Sequence, residues 1–221
     1  MVALGVEDKL AVECPRAALD ARLELIRTAG VPNYFGAQRF GRGANNIPQA
    51  LAMFAGSRRV KDRNLRGILL SSARSWLFNS VVSARVKIGT WQSLYAGEPA
   101  NLNGSNSVFP VVDIEAETER LRLLDIHPTA PLWGERSDRN LAELAVQMCA
   151  ELIELEASAM GRYQLLKRGL EDARVEYQRR ALRLVPIDLS WQYDDGDLCL
   201  TFDLQRGQFA TSVLRELVRE T

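Results

Sequence analysis

The chain has 221 residues, 47% hydrophobic and 25% charged, the composition of an ordinary globular protein with room for one large or two small cores. Its 28 Lys and Arg balance 28 Asp and Glu, which excludes a uniformly basic nucleic-acid binder. No apolar run approaches the ~20 residues of a membrane helix, the first residues lack the order of a signal peptide, and Cys14, Cys149 and Cys199 have no metal-binding spacing. The expectation is a cytoplasmic chain with free thiols, no membrane partner and no metal, and its one histidine, His127, has no companion motif.

Taken in order, residues 9–14 read as a short strand. Pro15 suits the first turn of a helix, in which Leu19, Leu23 and Ile26 recur at helical spacing until Gly30 stops them. The stretch 31–41, V-P-N-Y-F-G-A-Q-R-F-G, then gathers three aromatics, two glycines, Arg39 and the amides of Asn33 and Gln38, without a carboxylate. Aromatic planes can stack on unstacked bases, and Arg, Asn and Gln can read base edges or hold phosphates. The same composition also suits a core plug beneath a turn.

Asn46 reads as the cap of a helix with Pro48 in its first turn and Gly56 at its end. Asn64 reads as the cap of a longer helix. Ile68, Leu69, Ser72, Trp76 and Val82 face inward there, and Arg63, Arg66, Arg74 and Arg85 occupy its other sides, facing either phosphates or plain solvent. Charge is segregated along the chain. Residues 39–87 hold ten Lys or Arg against one acid, and residues 113–156 hold eleven acids against four arginines. That pattern predicts a basic face for a polyanion with an acidic face turned away, the plainer alternative being that the two segments pair with each other.

Residues 107–112 read as a strand, 115–124 as a short helix, and 127–134 as irregular loop. A long helix is expected from Ser137 or Asp138, with Leu141, Leu144, Ala145, Met148, Leu152 and Leu155 as its apolar stripe, and a second over 171–184. Asp194-Asp195-Gly196 predicts a hairpin turn between 189–193 and 198–204. Phe209 precedes a final helix over 210–219.

The stretch 31–41 resembles the N-Y-F-G-x-Q-R-F-G signature of the TruD-type tRNA pseudouridine synthases. The resemblance continues in order through K-D-R-N at 61–64, S-S-A-R-S-W-L-F-N at 71–79, D-I-H-P-T at 125–129, P-L-W-G at 131–134 and F-A-T-S-V-L-R-E-L at 209–217. It implies an α+β fold in which 1–41 and 185–221 are pieces of an antiparallel catalytic-core sheet and 42–184 is an inserted, helix-rich TRUD domain. It implies isomerisation of uridine to pseudouridine in tRNA by a monomer, with one catalytic aspartate and no cofactor. Phe209 matches the aromatic that packs near the target base, and Asn33, Gln38 and Arg39 match the signature. Arg63, Arg66, Arg74 and Arg215 complete the expected RNA-binding set.

The family's aspartate lies upstream in a G-x-K-D-[KR] block followed by Thr and Gln. Here G-V-E-D-K-L at 5–10 echoes that block, so Asp8 is the nearest candidate, but the lysine before it and the later Thr and Gln are missing. The family's G-N-x-F segment is unmatched as well. The expectation is a carboxy-terminal portion of a synthase without its catalytic segment, either a truncated enzyme or a catalytically inactive tRNA-binding remnant.

Overall fold

The structure, a computed structural model, describes residues 15–135 and 147–217. The expected strand at 9–14, Asp8, the helix start at 137–145 and the last residues of the final helix lie outside the described residues. In chain order the helices are α1 (Arg16–Ala29), α2 (Asn46–Phe54), α3 (Arg63–Lys87), α4 (Ile114–Arg122), α5 (Ala150–Met160), α6 (Gln164–Asp172) and α7 (Ala210–Leu214). The strands are β1 (Val31–Pro32), β2 (Pro99–Leu102), β3 (Val108–Pro110), β4 (Ile126–His127), β5 (Thr129–Leu132), β6 (Gln178–Ala181), β7 (Arg183–Leu184), β8 (Ile187–Asp194) and β9 (Asp197–Asp203). The β2–β3, β2–β4, β5–β6 and β8–β9 pairings are all antiparallel, so the fold class is α+β. Of the described residues, those up to Val31 and from Leu184 form a terminal unit, and Pro32–Arg183 form a central unit.

The terminal unit rests on period-two patterning. In β8 and β9, Leu189, Trp191, Tyr193, Leu198, Leu200 and Phe202 alternate with exposed polar residues, so one face of the hairpin is covered. Asp195 (φ 46°) and Gly196 (φ 94°) form the turn, and two left-handed residues are what a two-residue hairpin of right-handed twist requires. Ile26, Val31, Leu184, Leu189 and Val213 make the core, with Trp191, Phe202, Leu204 and Leu217 packed against it. Asp20 of α1 accepts from Trp191 Nε1 at 2.8 Å and from Tyr193 Oη at 3.0 Å, which fixes the helix across the hairpin.

The central unit is assembled on α3, which runs for 25 residues. Leu69, Ala73, Leu77, Phe78, Val81 and Val82 are fully buried along it, whereas Ile68, expected inside, is 51% exposed. Its cap is Asp62 rather than Asn64. The Asp62 carboxylate accepts from the Asn64 and Leu65 amides at 2.8 and 3.3 Å, which also places negative charge at the helix N-terminus. α2, α5, α6 and β5 pack on α3. Gly169 of α6 allows the close approach of α2, because a Cβ there would stand 2.1 Å from the Phe54 ring.

Three expectations are corrected. Residues 171–184 do not form a helix: α6 ends at Asp172, Arg174 turns back at φ 53°, and β6 follows. The pairing of β6 with β5, Ala181 opposite Thr129 and Gln178 opposite Leu132, overrides the helical propensity of this charged segment. Residues 126–132 are strands rather than loop, broken only at Pro128. Arg85, expected on an open side of its helix, is 0% exposed. Residues 32–41 bond within the central unit, the Asn33 amide donating to the Leu182 carbonyl at 2.8 Å.

Candidate nucleic-acid interface

The stretch 31–41 is held open as an extended segment and then closed by a turn. Val31-Pro32 is extended because proline fixes its own φ and biases the residue before it. The side-chain amide of Asn79 on α3 brackets the backbone of Phe35. Asn79 Oδ1 accepts from the Phe35 amide and its Nδ2 donates to the Phe35 carbonyl, both at 2.9 Å. A 3-10 turn at Ala37–Phe40 follows, ending at Gly41 with φ 73°. The Arg39 carbonyl accepts from Ser72 Oγ at 2.8 Å, and Phe40 packs edge-on against Trp76 with ring centres 5.4 Å apart. Phe35 and Phe40 therefore land on α3, whose own block S-S-A-R-S-W-L-F-N supplies their partners, and the Tyr34 hydroxyl meets Ser83 Oγ farther along that helix at 3.2 Å.

Two guanidinium groups converge on the Phe35 ring. Arg180 lies 4.4 Å from the ring centre and Arg39 5.3 Å. Arg39 donates to Ser71 Oγ at 2.8 Å. Arg180 also lies 5.5 Å from the centre of Phe78, which meets Phe35 edge-on. Asn33 orients Arg180: its Oδ1 accepts from an Arg180 nitrogen at 2.7 Å while its Nδ2 donates to the Ala181 carbonyl at 2.9 Å. Burial, and then the charge of Arg39, pull the Arg180 pKa down to about 10, so it stays cationic at neutral pH. Burial also lowers Arg74, which donates to the Glu176 carbonyl. Arg74 precedes Phe78 by one helical turn and follows Ser71 by three residues, so all three share a face of α3.

Other arginines of the unit are enclosed with acids. Arg85 reaches Glu98 at 3.3 Å with both side chains fully buried, and its remaining donors meet the Thr90 and Ser93 carbonyls at 2.6 to 3.1 Å. Burial pushes the Glu98 carboxyl upward, against the pull of Arg85 and the amides of Tyr95 and Thr129. Arg179 holds Glu156 with two bonds of 3.0 and 2.7 Å. The acidic segment satisfies itself locally as well, through Arg120–Glu117, Arg122–Glu119 and Arg120–Asp125.

Of the residues singled out from the sequence, Asn33 and Arg39 both bear on Arg180, Arg39 is bonded to Ser71 of α3, and Arg74 of α3 is bonded to Glu176. Asn33 is 2% exposed and its amide is bonded inside the protein. Gln38 is exposed on the 3-10 turn, and Arg63 and Arg66 are exposed on the first turn of α3. Phe209 and Arg215 belong to the terminal unit, half-buried before α7 and exposed after it respectively. Sequence reasoning missed Asn79 and Arg180. The helical reading of 171–184 hid Arg180: on the strand found there, neighbouring Arg179 and Arg180 point to opposite faces. His127 is 3% exposed and its Nδ1 accepts from Arg183 Nε at 2.9 Å; burial and that guanidinium lower its pKa to about 3, which keeps the ring neutral. Among the described residues no three His, Cys, Asp or Glu side chains converge as a metal site, and no helix is long and apolar enough to cross a membrane.

The sequence profile of tRNA pseudouridine synthase D (TruD) matches residues 49–217, and the chain belongs to that family. The tRNA pseudouridine synthase D of Aeromonas hydrophila is 46% identical over 202 residues, 91% of this chain and 55% of the relative. That of Pseudomonas putida strain W619 is 41% identical over 209 residues, 94% of this chain and 57% of the relative. The chain thus spans about half the length of the curated relatives it matches. Among solved structures, a tRNA pseudouridine synthase D from Methanosarcina mazei is similar over 93% of this chain and 65% of its own, with a TM-score of 0.68 at 17% identity, a likeness of fold.

Proposed function

We propose that this chain acts in the isomerisation of uridine to pseudouridine in tRNA, and that its own share is to hold the RNA. The observation that supports this is the fixed arrangement of Asn33, Phe35, Arg39 and Arg180 on α3, built from the stretch that resembles the family signature. On this reading the central unit is the inserted domain and the terminal unit is a piece of the catalytic core.

The reaction breaks the bond between ribose and the uracil nitrogen and re-forms it through carbon. The uridine must leave its stack, which costs a few kcal/mol and needs an aromatic surface to receive the base. Phe209 fills that role. Gln38, Arg39, Arg63, Arg66, Arg74 and Arg215 meet the RNA, where cations displace counterions from phosphates. The attacking carboxylate is a separate matter, because stacking and positioning groups cannot replace a nucleophile or base. Asp8 does not match the family block, so the 221 residues by themselves bind tRNA without isomerising it.

The test uses unmodified tRNA and the purified 221-residue chain. Binding is measured by filter retention across a salt series, and pseudouridine by carbodiimide-dependent stops in reverse transcription. The expected result is salt-dependent binding without a stop. Replacing Arg63, Arg66 and Arg74 together with Ala should flatten the salt dependence, by roughly one unit of log–log slope for each phosphate no longer neutralised. A stop that disappears in Asp8→Ala would make Asp8 the catalytic carboxylate, and absence of tRNA binding would overturn the reading altogether.

A further inference from the structure

Four arginines come to the middle of the central unit from the strands β6 and β7 and the helix α3, and three of them are neutralised or saturated there. Arg85 has Glu98 and two carbonyls. Arg179 has Glu156, Thr129 and Tyr177. Arg183 has no acid, but its donors meet the His127 nitrogen and the carbonyls of Leu121 and Ile126 at 2.8 to 3.0 Å. Arg180 differs from all of these. Its Nε is buried and has no hydrogen-bond partner among the described residues, and one of its terminal nitrogens is met by a neutral amide, Asn33. Two aromatic rings flank it, and the charge of Arg39 acts on it.

An arrangement of this kind opposes folding. A guanidinium removed from water needs either a counter-charge or a full set of acceptors, and a second cation nearby makes the deficit larger. Aromatic faces return only part of it. Yet the guanidinium is held in place, by Asn33 on one side and by the Phe35–Phe78 pair on the other. Asn33 itself is fixed by its bonds to Ala181 and Leu182. A forked donor, desolvated, pre-oriented and short of an acceptor, has the geometry that binds a tetrahedral oxyanion well.

We propose that Arg180, seconded by Arg39, is a binding site for a phosphodiester group of single-stranded RNA. The site lies beside the signature stretch, and the inference rests on the reading of this chain as an RNA-holding protein. Phosphate supplies the missing acceptors and offsets the like charges of the two arginines. It also explains why Asn33, an amide, stands where a carboxylate would have formed a closed ion pair: a neutral partner orients the guanidinium and leaves its charge for the ligand.

The decisive measurement needs no variant. The arginine Nε–Hε resonances of the 221-residue chain are followed by nitrogen-15 NMR while hexauridylate, uridine 5′-monophosphate, uridine or inorganic phosphate is added. The Arg180 resonance should move with hexauridylate and with the monophosphate, and stay in place with uridine. Movement with uridine would make this a base-binding pocket, and movement with inorganic phosphate but not with hexauridylate would make it a small-anion site; either overturns the proposal. A chain that binds tRNA while Arg180 stays unmoved by hexauridylate would also overturn it, leaving the RNA-holding reading intact. A chain that binds no tRNA at all fails at that earlier reading instead. As a second arm, Arg180→Gln should weaken hexauridylate binding about tenfold or more, the worth of a charge-assisted bond pair, and lower the salt slope by about 0.7. Arg180→Lys should keep the slope and lose affinity, because the charge remains and the fork does not. Equal affinity of Arg180→Gln and the parent chain, with unchanged melting curves, would show that Arg180 only packs.

Discussion

Arg85 and Arg180 stand on opposite sides of one physical choice. Both are drawn into the central unit and both lie against an aromatic ring, at 4.6 Å from Tyr95 for Arg85 and 4.4 Å from Phe35 for Arg180. Arg85 is closed by an acid that comes from the same fold, and nothing outside the chain could improve it. Arg180 is closed by an amide and left with positive charge. A protein assembled only for stability would favour the first solution, or an apolar residue, at both places. The difference separates a charge that holds the fold together from one that is held by it.

The largest expected effect comes from opening the closed site. Glu98→Ala leaves Arg85 desolvated and alone and should destabilise the chain by roughly 3–5 kcal/mol in urea denaturation. A loss below about 1 kcal/mol would mean that water or a side-chain movement repairs the site, and the contrast with Arg180 would weaken.

An intermediate effect is expected from Arg183, which leans on an imidazole nitrogen. His127 is lowered to about 3 in the folded chain from the ordinary 6.5, so below pH 6.5 the unfolded chain binds a proton that the folded chain refuses. Stability from this group is complete above pH 6.5 and falls as pH drops toward 3. From pH 7 to pH 5 the loss should be about 2 kcal/mol. His127→Gln, which offers Arg183 a carbonyl that does not titrate, should remove most of that slope; the same slope in both proteins would place its origin elsewhere.

The smallest effect on stability, and the most telling, belongs to Arg180→Met. Removing an unneutralised guanidinium while keeping contact with Phe35 should change unfolding free energy by less than about 1 kcal/mol, or raise it. A loss of 3 kcal/mol or more would put Arg180 in the same class as Arg85.

Much of the terminal unit was legible in the sequence, because local signals and final structure agree there. Leu23 and Ile26 face inward from α1, Gly30 ends it, and Asp195-Gly196 turns the hairpin where expected. The central unit was less legible for a reason of distance. Arg85 finds its acid 13 residues away and Arg179 finds one 23 residues away, so the inward turn of these arginines cannot be read until their partners are placed. The family blocks pointed to Asn33 and Arg39. They did not reveal that Asn33 turns its amide inward, nor that Arg180 is the cation it serves, because strand pairing of β6 with β5 decides which of two adjacent arginines faces Phe35.

The Asn79 amide that brackets Phe35 has a consequence for exchange with solvent. Phe35 belongs to no strand, yet its N–H is bonded to a side chain anchored in the middle of a 25-residue helix. Its deuterium uptake should therefore follow the opening of α3 rather than the local motion of a loop, giving protection close to that of the helix core. In Asn79→Ala that single amide should exchange orders of magnitude faster while the amides of Leu77 and Val81 keep their rates. The signature stretch would then be a segment whose lifetime is set from beneath, by the helix it lies on.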